Sequence, residues 1–306
     1  KILRDSVDFY KTTKYRTIYR NKVTRSKVGG TVAQFTLKPN PSSISLEKLS
    51  PQDGRFHYTP PPLECKKAYV HSYQMAYIVG KNCIGLSETG EVIKDTIFRT
   101  DERFNSAVLK DLNYVTVAGK NASAVKFIPG SSVILASGWQ NYGHWITEHL
   151  PKVVYLKKSV GDVSNMTFIV SVPFENWKVQ SLEALGVNEE RVIIKNESET
   201  FQVERLLVVD YPQADRFAYK TISDAFFKEK PWGEKYIYVK RGSSWGRIII
   251  NNAAAVENAL EEMGFVTVEP EKYSIFDQAR IFRDAAIVVG ANGSAMTNLI
   301  HMKKNS

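Results

Sequence analysis

Three short stretches hold residue types that do chemistry when brought together: SGWQNYGHWITEHLPKV around His144, YIYVKRGSSWGRIIIN around Arg241, and AAIVVGANGSAMTNLIHM around Gly293. In the first, Asn141 is a helix-capping residue type, which sets His144 in a first helical turn and Glu148 one turn later on the same face. A carboxylate beside an imidazole fixes the ring's tautomer and raises its basicity, which suits a general base. The same spacing also occurs in plain surface pairs, and Trp145 suits simple packing of a helix on a sheet, so this stretch alone leaves both readings open. The order His144-x-x-x-Glu148-His149 matches neither zinc-protease arrangement and has no third ligand nearby, so no metal is expected there.

In the second stretch Arg241 leaves a strand end and Arg247 follows a Gly/Ser loop. Two guanidiniums so placed can chelate a diphosphate, although both also read as exposed loop arginines. Asn251 either joins them or caps the next helix. In the third stretch a short apolar run ends at Gly290, Ser294 is a candidate N-cap, and Ala295–His301 continues as a helix. A strand feeding a helix through small residues leaves backbone N–H groups at a positive dipole end, which favours an anion. The order Gly-Ala-Asn-Gly-Ser-Ala is no dinucleotide fingerprint, Walker loop or nucleophile elbow. It reads as a short phosphate cradle made by Asn292, Gly293, Ser294 and Ala295, with Thr297 and Asn298 either reaching a ligand or stabilising the motif helix.

These residues need strand ends to carry them. SSVILAS, MTFIVSV and RLLVVD read as strands, with helices over Trp145–Lys158 and NWKVQSLEALG between them. After a break near 212, a helix over Ala218–Lys228 leads into KYIYVKR, NNAAAVENALEEMG, FVTVEP, SIFDQARIFRDA and the third stretch, again in strand–helix alternation. Such alternation indicates parallel α/β sheets with right-handed crossovers. The expected fold class is therefore α/β with two Rossmann-like domains facing a cleft, where strand carboxyl ends bind ligands. The expected division is residues 1–65, a basic extension and a Pro-rich connector of little periodicity; 66–212, a first domain including a small β-meander over AYVHSYQMAYIVG, NCIGLSETGEVI and TIFRT; and 213–306, a second domain.

Charge is concentrated at one end. Residues 1–30 carry nine Lys/Arg against Asp5 and Asp8, which accounts for +7 of the formal +9. A basic leader on a nearly neutral body points to contact of residues 1–27 with an anionic membrane surface, or to a solvated tail, and gives nucleic acid no basic helix with interleaved aromatics. No apolar run is long enough for a membrane span and no signal-peptide pattern is present. With only Cys65 and Cys83, neither a disulfide scaffold nor a zinc site is expected. The setting expected is cytoplasmic, peripheral on the inner membrane face, with a Golgi or ER lumen as the alternative for a eukaryotic source.

Taken together, NYGHWITEHLPKV, YVKRGSSWGRIIIN and the block from GFVTVEP to NLIHM resemble glycosyltransferase family 61, most strongly over residues 236–302, where a strand arginine, a Pro-Glu after a strand, the Asp277-Gln278 pair and the Gly…Gly-x-x-x-Thr-Asn block occur in order. The meander also looks like the bacterial, capsule-type branch. The resemblance implies a GT-B fold, an inverting mechanism and a nucleotide-sugar donor, UDP-sugar favoured, held mainly by the second domain and passed to a glycan or other hydroxyl acceptor. It implies no further cofactor. No Asp-x-Asp follows a strand, so a metal-independent reaction is expected. Arg241, Arg247, Asn251, Gln278, Asn292, Gly293, Ser294, Ala295, Thr297 and Asn298 are then donor-side residues, His144 the base, and Glu148 its support or the base itself. The family commonly has Gly-x-His-Gly where this chain has Gly290-Ala291-Asn292-Gly293, and Asn can hydrogen-bond a phosphate but carries no charge. That departure, with the early end of the chain, keeps an inactive nucleotide- or carbohydrate-binding homologue open beside the enzyme. An NAD-dependent oxidoreductase is less favoured because the fingerprint is missing.

Overall fold

The structure is a computed structural model that describes residues 30–36, 67–90, 92–97, 125–136, 138, 140–210, 215–227, 233–241 and 252–303. The first sheet contains β1 (Gly30–Thr36), β2 (Lys67–Val79), β3 (Ile84–Leu86), β4 (Lys126–Ala136), β5 (Thr167–Ser171), β6 (Val192–Lys195) and β7 (Phe201–Val209). Its order is β1-β2-β7-β4-β5-β6, with β3 paired to β2. β7, β4, β5 and β6 run parallel, whereas β2 is antiparallel to β7 and β1 antiparallel to β2. The meander is thus an extension of the parallel sheet rather than a separate layer. Two differences from the sequence reading stand out. Strand β1 lies inside the connector of little periodicity, and Lys94–Thr96, at the start of the expected TIFRT strand, is a 3-10 turn.

Burial on both faces explains the unbroken apolar runs of β4 and β5. Val133, Leu135, Phe168, Val170, Leu207 and Val209 face one core, and Ile134, Ile169, Leu206 and Val208 face the other. The first core is roofed by helices. Tyr142–His144 is an α-helical turn, Trp145–His149 is π-helical and Leu150–Val160 is α-helical; together they form helix α1. α2 spans Asn176–Ala184 and α3 spans Arg216–Phe226, the latter capped by Asp215, whose carboxylate accepts the Ala218 N–H at 3.0 Å.

The second sheet is small and wholly parallel, in the order β10-β8-β9, with β8 at Lys235–Val239, β9 at Val266–Val268 and β10 at Ala285–Gly290. Helices α4 (Ala253–Glu262) and α5 (Ile275–Arg283) alternate with these strands as the periodicity indicates. Ile275 and Ala279 of α5 are buried in the core of the first sheet's helices, so the two strand–helix series share apolar packing. At the end of β10 a Cβ on Gly290 would stand 2.9 Å from Val239 Cβ and 3.1 Å from its carbonyl oxygen, which is why glycine ends this strand.

The segment after it differs from the expected α-helix. Ser294–His301 is 3-10, and Gly293, fully extended, occupies the cap position in place of Ser294. Thr297 Oγ1 donates back to the Ser294 carbonyl and Met296 N–H to the Gly293 carbonyl at 3.0 Å, tightening each turn to three residues. The segment is anchored at its far end by His301, 2% exposed, which stacks on Phe226 at 5.3 Å and shares a 3.0 Å hydrogen bond with Ser223 of α3.

Burial, with the nearby Arg283 charge, lowers the His301 pKa to about 3. Between that value and the ordinary pKa of about 6.5, the unfolded chain binds a proton that the folded one does not. This contribution to stability is therefore lost as pH falls below about 6.5, at up to about 1.4 kcal/mol per unit. Urea melts of wild type and His301→Gln over this range should show the flatter dependence in the variant.

Candidate active site

The first turn of α1 forms as its sequence indicates: Asn141 Oδ1 accepts the His144 N–H at 3.1 Å. The next turn does not. Leu150 N–H bonds to the Trp145 carbonyl, a five-residue step, so Trp145–His149 is a π-turn inside the helix. His144 Nδ1 and Glu148 Oε1 lie 3.0 Å apart, with the two side chains 18% and 9% exposed. In the neutral tautomer with its proton on Nδ1, His144 donates to this carboxylate and Nε2 is the basic nitrogen. Glu148 Oε2 is buried with no hydrogen-bond partner among the described residues. Trp145 does serve packing: it is fully buried, its indole N–H donates to Ser181 at 2.8 Å, and Trp177 meets it edge-on at 6.0 Å.

Beneath this turn lies Lys152, 2% exposed, its ammonium donating to the Leu135 carbonyl at 3.1 Å. Burial lowers its pKa to about 7, against the opposing pull of Glu148 and Asp210. No local signal marks it, since a lysine in a helix is ordinarily exposed.

The cradle comes from the second sheet. Arg241, just past β8, donates from Nη1 to the Asn292 carbonyl at 2.7 Å, and the Gly293 Cα lacks a Cβ that would stand 3.5 Å from that nitrogen. The guanidinium keeps further donors beyond this bond. The first N–H groups of Ser294–His301 lie at this end, where a helix leaves its donors unpaired. Arg247 and Asn251 lie outside the described residues.

The two halves meet directly. Tyr142 OH donates to Asn298 Oδ1 at 2.6 Å, and burial raises the phenol's pKa. Asn298 Nδ2 donates to Gln278 Oε1 and to the Ala295 carbonyl, each at 3.2 Å. Gln278 Nε2 in turn donates to the Tyr273 carbonyl at 3.1 Å. Asn298 is 0% exposed, so of the two roles open to it in the sequence, stabilising the motif segment is the one its side chain performs. Gln278 is likewise engaged within the protein at both ends of its amide. Beside this bridge, a Cβ on Gly143 would meet Thr297 Oγ1 at 3.3 Å and Ser294 Oγ at 3.4 Å, so glycine lets α1 approach the cradle. His144 is the next residue. Tyr142 and Gly143 stand in the same stretch as His144, but their partners 150 or so positions away have no local signal.

A sequence model of Glycosyltransferase 61 matches residues 142–306. The chain belongs to glycosyltransferase family 61. The family 61 match therefore begins at Tyr142 and covers both sides of the Tyr142–Asn298 bridge. No curated protein shows a significant match to the chain. Membership in family 61 makes it a glycosyltransferase, acting between a sugar donor and an acceptor. No helix among the described residues is long and apolar enough to cross a membrane.

Tyr142→Phe keeps the ring against Trp177, 5.4 Å away, and removes only the hydroxyl. Leaving the buried Asn298 oxygen without its donor should lower unfolding free energy by about 1–3 kcal/mol. A double-mutant cycle with Asn298→Ala, measured by chemical denaturation, should give a coupling of about 0.5–3 kcal/mol.

Proposed function

We propose that the protein is an inverting, metal-independent glycosyltransferase that moves a hexosyl or pentosyl unit from a nucleotide-diphosphate sugar, UDP-sugar favoured, to a glycan or other hydroxyl acceptor. The observation that carries this reading is the direct junction of α1 with the cradle, where Gly143, the residue before His144, meets Ser294 and Thr297. In it, the two strand–helix series act as the facing domains of a GT-B arrangement, divided near 212. His144 Nε2 takes the acceptor proton as the hydroxyl attacks the anomeric carbon. Glu148 stabilises the imidazolium that results. The diphosphate departs from the opposite face of the sugar, its charge met by Arg241 and the first N–H groups of Ser294–His301. Asn292 replaces a charged histidine with a neutral hydrogen-bonding group, so Arg241 carries more of the leaving-group stabilisation here. The basic leader, residues 1–27, would hold the enzyme on an anionic membrane surface where acceptors are displayed, on the cytoplasmic side.

On this reading, Arg241→Ala removes a charged diphosphate contact and should weaken UDP binding by about 1.5–3 kcal/mol. Calorimetric titration with UDP checks it, and unchanged affinity removes the donor site from the position assigned.

His144→Ala should lower turnover by about 10²–10⁴-fold with nucleotide affinity nearly constant. His144→Gln should be almost as poor, since Gln cannot accept the proton. Glu148→Gln should cost less, because the imidazole remains. Turnover of the three variants across a panel of nucleotide sugars decides the roles: a larger loss in Glu148→Gln makes Glu148 the base, and wild-type rates in all three make the pair a structural contact.

A further inference from the structure

A second cluster of ligating side chains lies in the first sheet. His71 on β2, Asp95 in the Lys94–Thr96 turn and Asp210 just past β7 each present one ligand atom, and these atoms all lie within 4.8 Å of one another. His71 is 4% exposed, and Asp95 Oδ2 is buried with no hydrogen-bond partner among the described residues. His71 Nε2 and Asp210 Oδ1 are 3.9 Å apart. That separation is too long for a hydrogen bond. Two ligands that share one tetrahedral cation at about 2.1 Å each stand about 3.4 Å apart, so binding an ion would draw this pair in by about half an ångström.

The surroundings hold these groups in place. Asp210 Oδ2 accepts the Tyr69 N–H at 3.0 Å and the Asp210 N–H donates to the Tyr69 carbonyl at 3.0 Å, which fixes the carboxylate with Oδ1 toward His71. The Tyr69 ring stacks on the His71 ring at 5.7 Å and 21°. Hydrogen bonds and packing of this kind orient ligands around metal sites. Two half-buried carboxylates drawn together also call for positive charge, part of which comes from Lys152 through its pull on Asp210.

We infer that His71, Asp95 and Asp210 bind one divalent transition-metal ion through imidazole nitrogen and carboxylate oxygen, as a structural ion that clamps the Lys94–Thr96 turn onto β2 and the end of β7. A mixed nitrogen–oxygen set of this kind suits Zn²⁺ or Mn²⁺ better than Mg²⁺ or Ca²⁺, which take oxygen alone. With two carboxylates and a neutral imidazole the bound ion leaves the site uncharged. The site shares no residue with the cradle or the His144–Glu148 pair, so the transfer step proposed above stands or falls separately. The three positions are far apart in sequence, and their spacing carries no metal motif.

The full chain, stripped with a chelator and dialysed, should take up one Zn²⁺ or Mn²⁺ per molecule in calorimetric titration, with a rise in Tm on loading. Co²⁺ should bind at the same site and give visible d–d absorption. Asp95→Asn and His71→Gln, checked for folding by circular dichroism, should each weaken binding about tenfold or more and lose the rise in Tm. No heat, no Tm shift and no Co²⁺ spectrum in wild type would overturn the inference without recourse to a variant. Equal affinity in wild type and both variants would overturn it too, by placing the ion elsewhere.

Discussion

The carboxamide of Asn298 is the constraint on which the site's geometry rests. It is wholly buried, and its oxygen and nitrogen are satisfied by Tyr142, Gln278 and the Ala295 carbonyl. An amide buried without partners costs about 1–3 kcal/mol for each group left unmade. The start of α1, helix α5 and the 3-10 segment therefore have one arrangement in which all three donors and acceptors are met. Apolar contact alone would allow these elements to slide; the amide fixes their register. Gly143 then sits against Ser294 and Thr297, with His144 the next residue in the chain.

Polar side chains also lie under α1. Lys152 is buried against Leu135, in the field of Glu148 on one side and Asp210 on the other. A low-dielectric layer makes each of these interactions stronger than it would be in water, and makes each missing partner more costly. The buried face of α1 is thus polar at Glu148, His149 and Lys152 and apolar at Val153, Val154 and Leu156. A similar contrast separates the two sheets: the first has complete cores on both faces, and the second relies on the small cluster around Ile237, Val239 and Phe282 together with its link to the first through α5.

Much of this was readable because period reports burial. The unbroken run of β5 and the helical stripes of α1 and α5 are local signals, and the structure has those elements where they are expected. β10 also lies where its apolar run does, but it is not buried on both faces, since Ile287 and Val289 are 44% and 36% exposed. Asn141 likewise announces its helix, since capping needs only three residues. Strand β1 was not legible, because its position follows from pairing with β2 rather than from alternation of its own. Val192–Lys195 was missed for a related reason: at four residues it is too short to show a period. At the site, the His144–Glu148 pair could be read from spacing, whereas Asn298 stood open between reaching a ligand and stabilising its own segment. A buried amide and an exposed one have the same letter, and only the partners across the junction tell them apart.

The five-residue turn in α1 has a consequence for the length of the chain. A π-turn holds one residue more than the α-turn it replaces, and each helical residue rotates the chain by about 100°. Downstream of Leu150 the helix keeps its buried face whatever happens above. Upstream, loss of one residue from Trp145–His149 would let that turn close as an α-turn and leave Tyr142 facing Asn298, whereas loss of one residue elsewhere in α1 would rotate its two ends against each other by about 100°. Insertions and deletions in this helix are therefore not equivalent to those in a surface loop. A lineage that dropped one residue from the five-residue turn would retain the sheet, the cores and the bridge to Asn298, and would disturb only the step that joins His144 to Glu148.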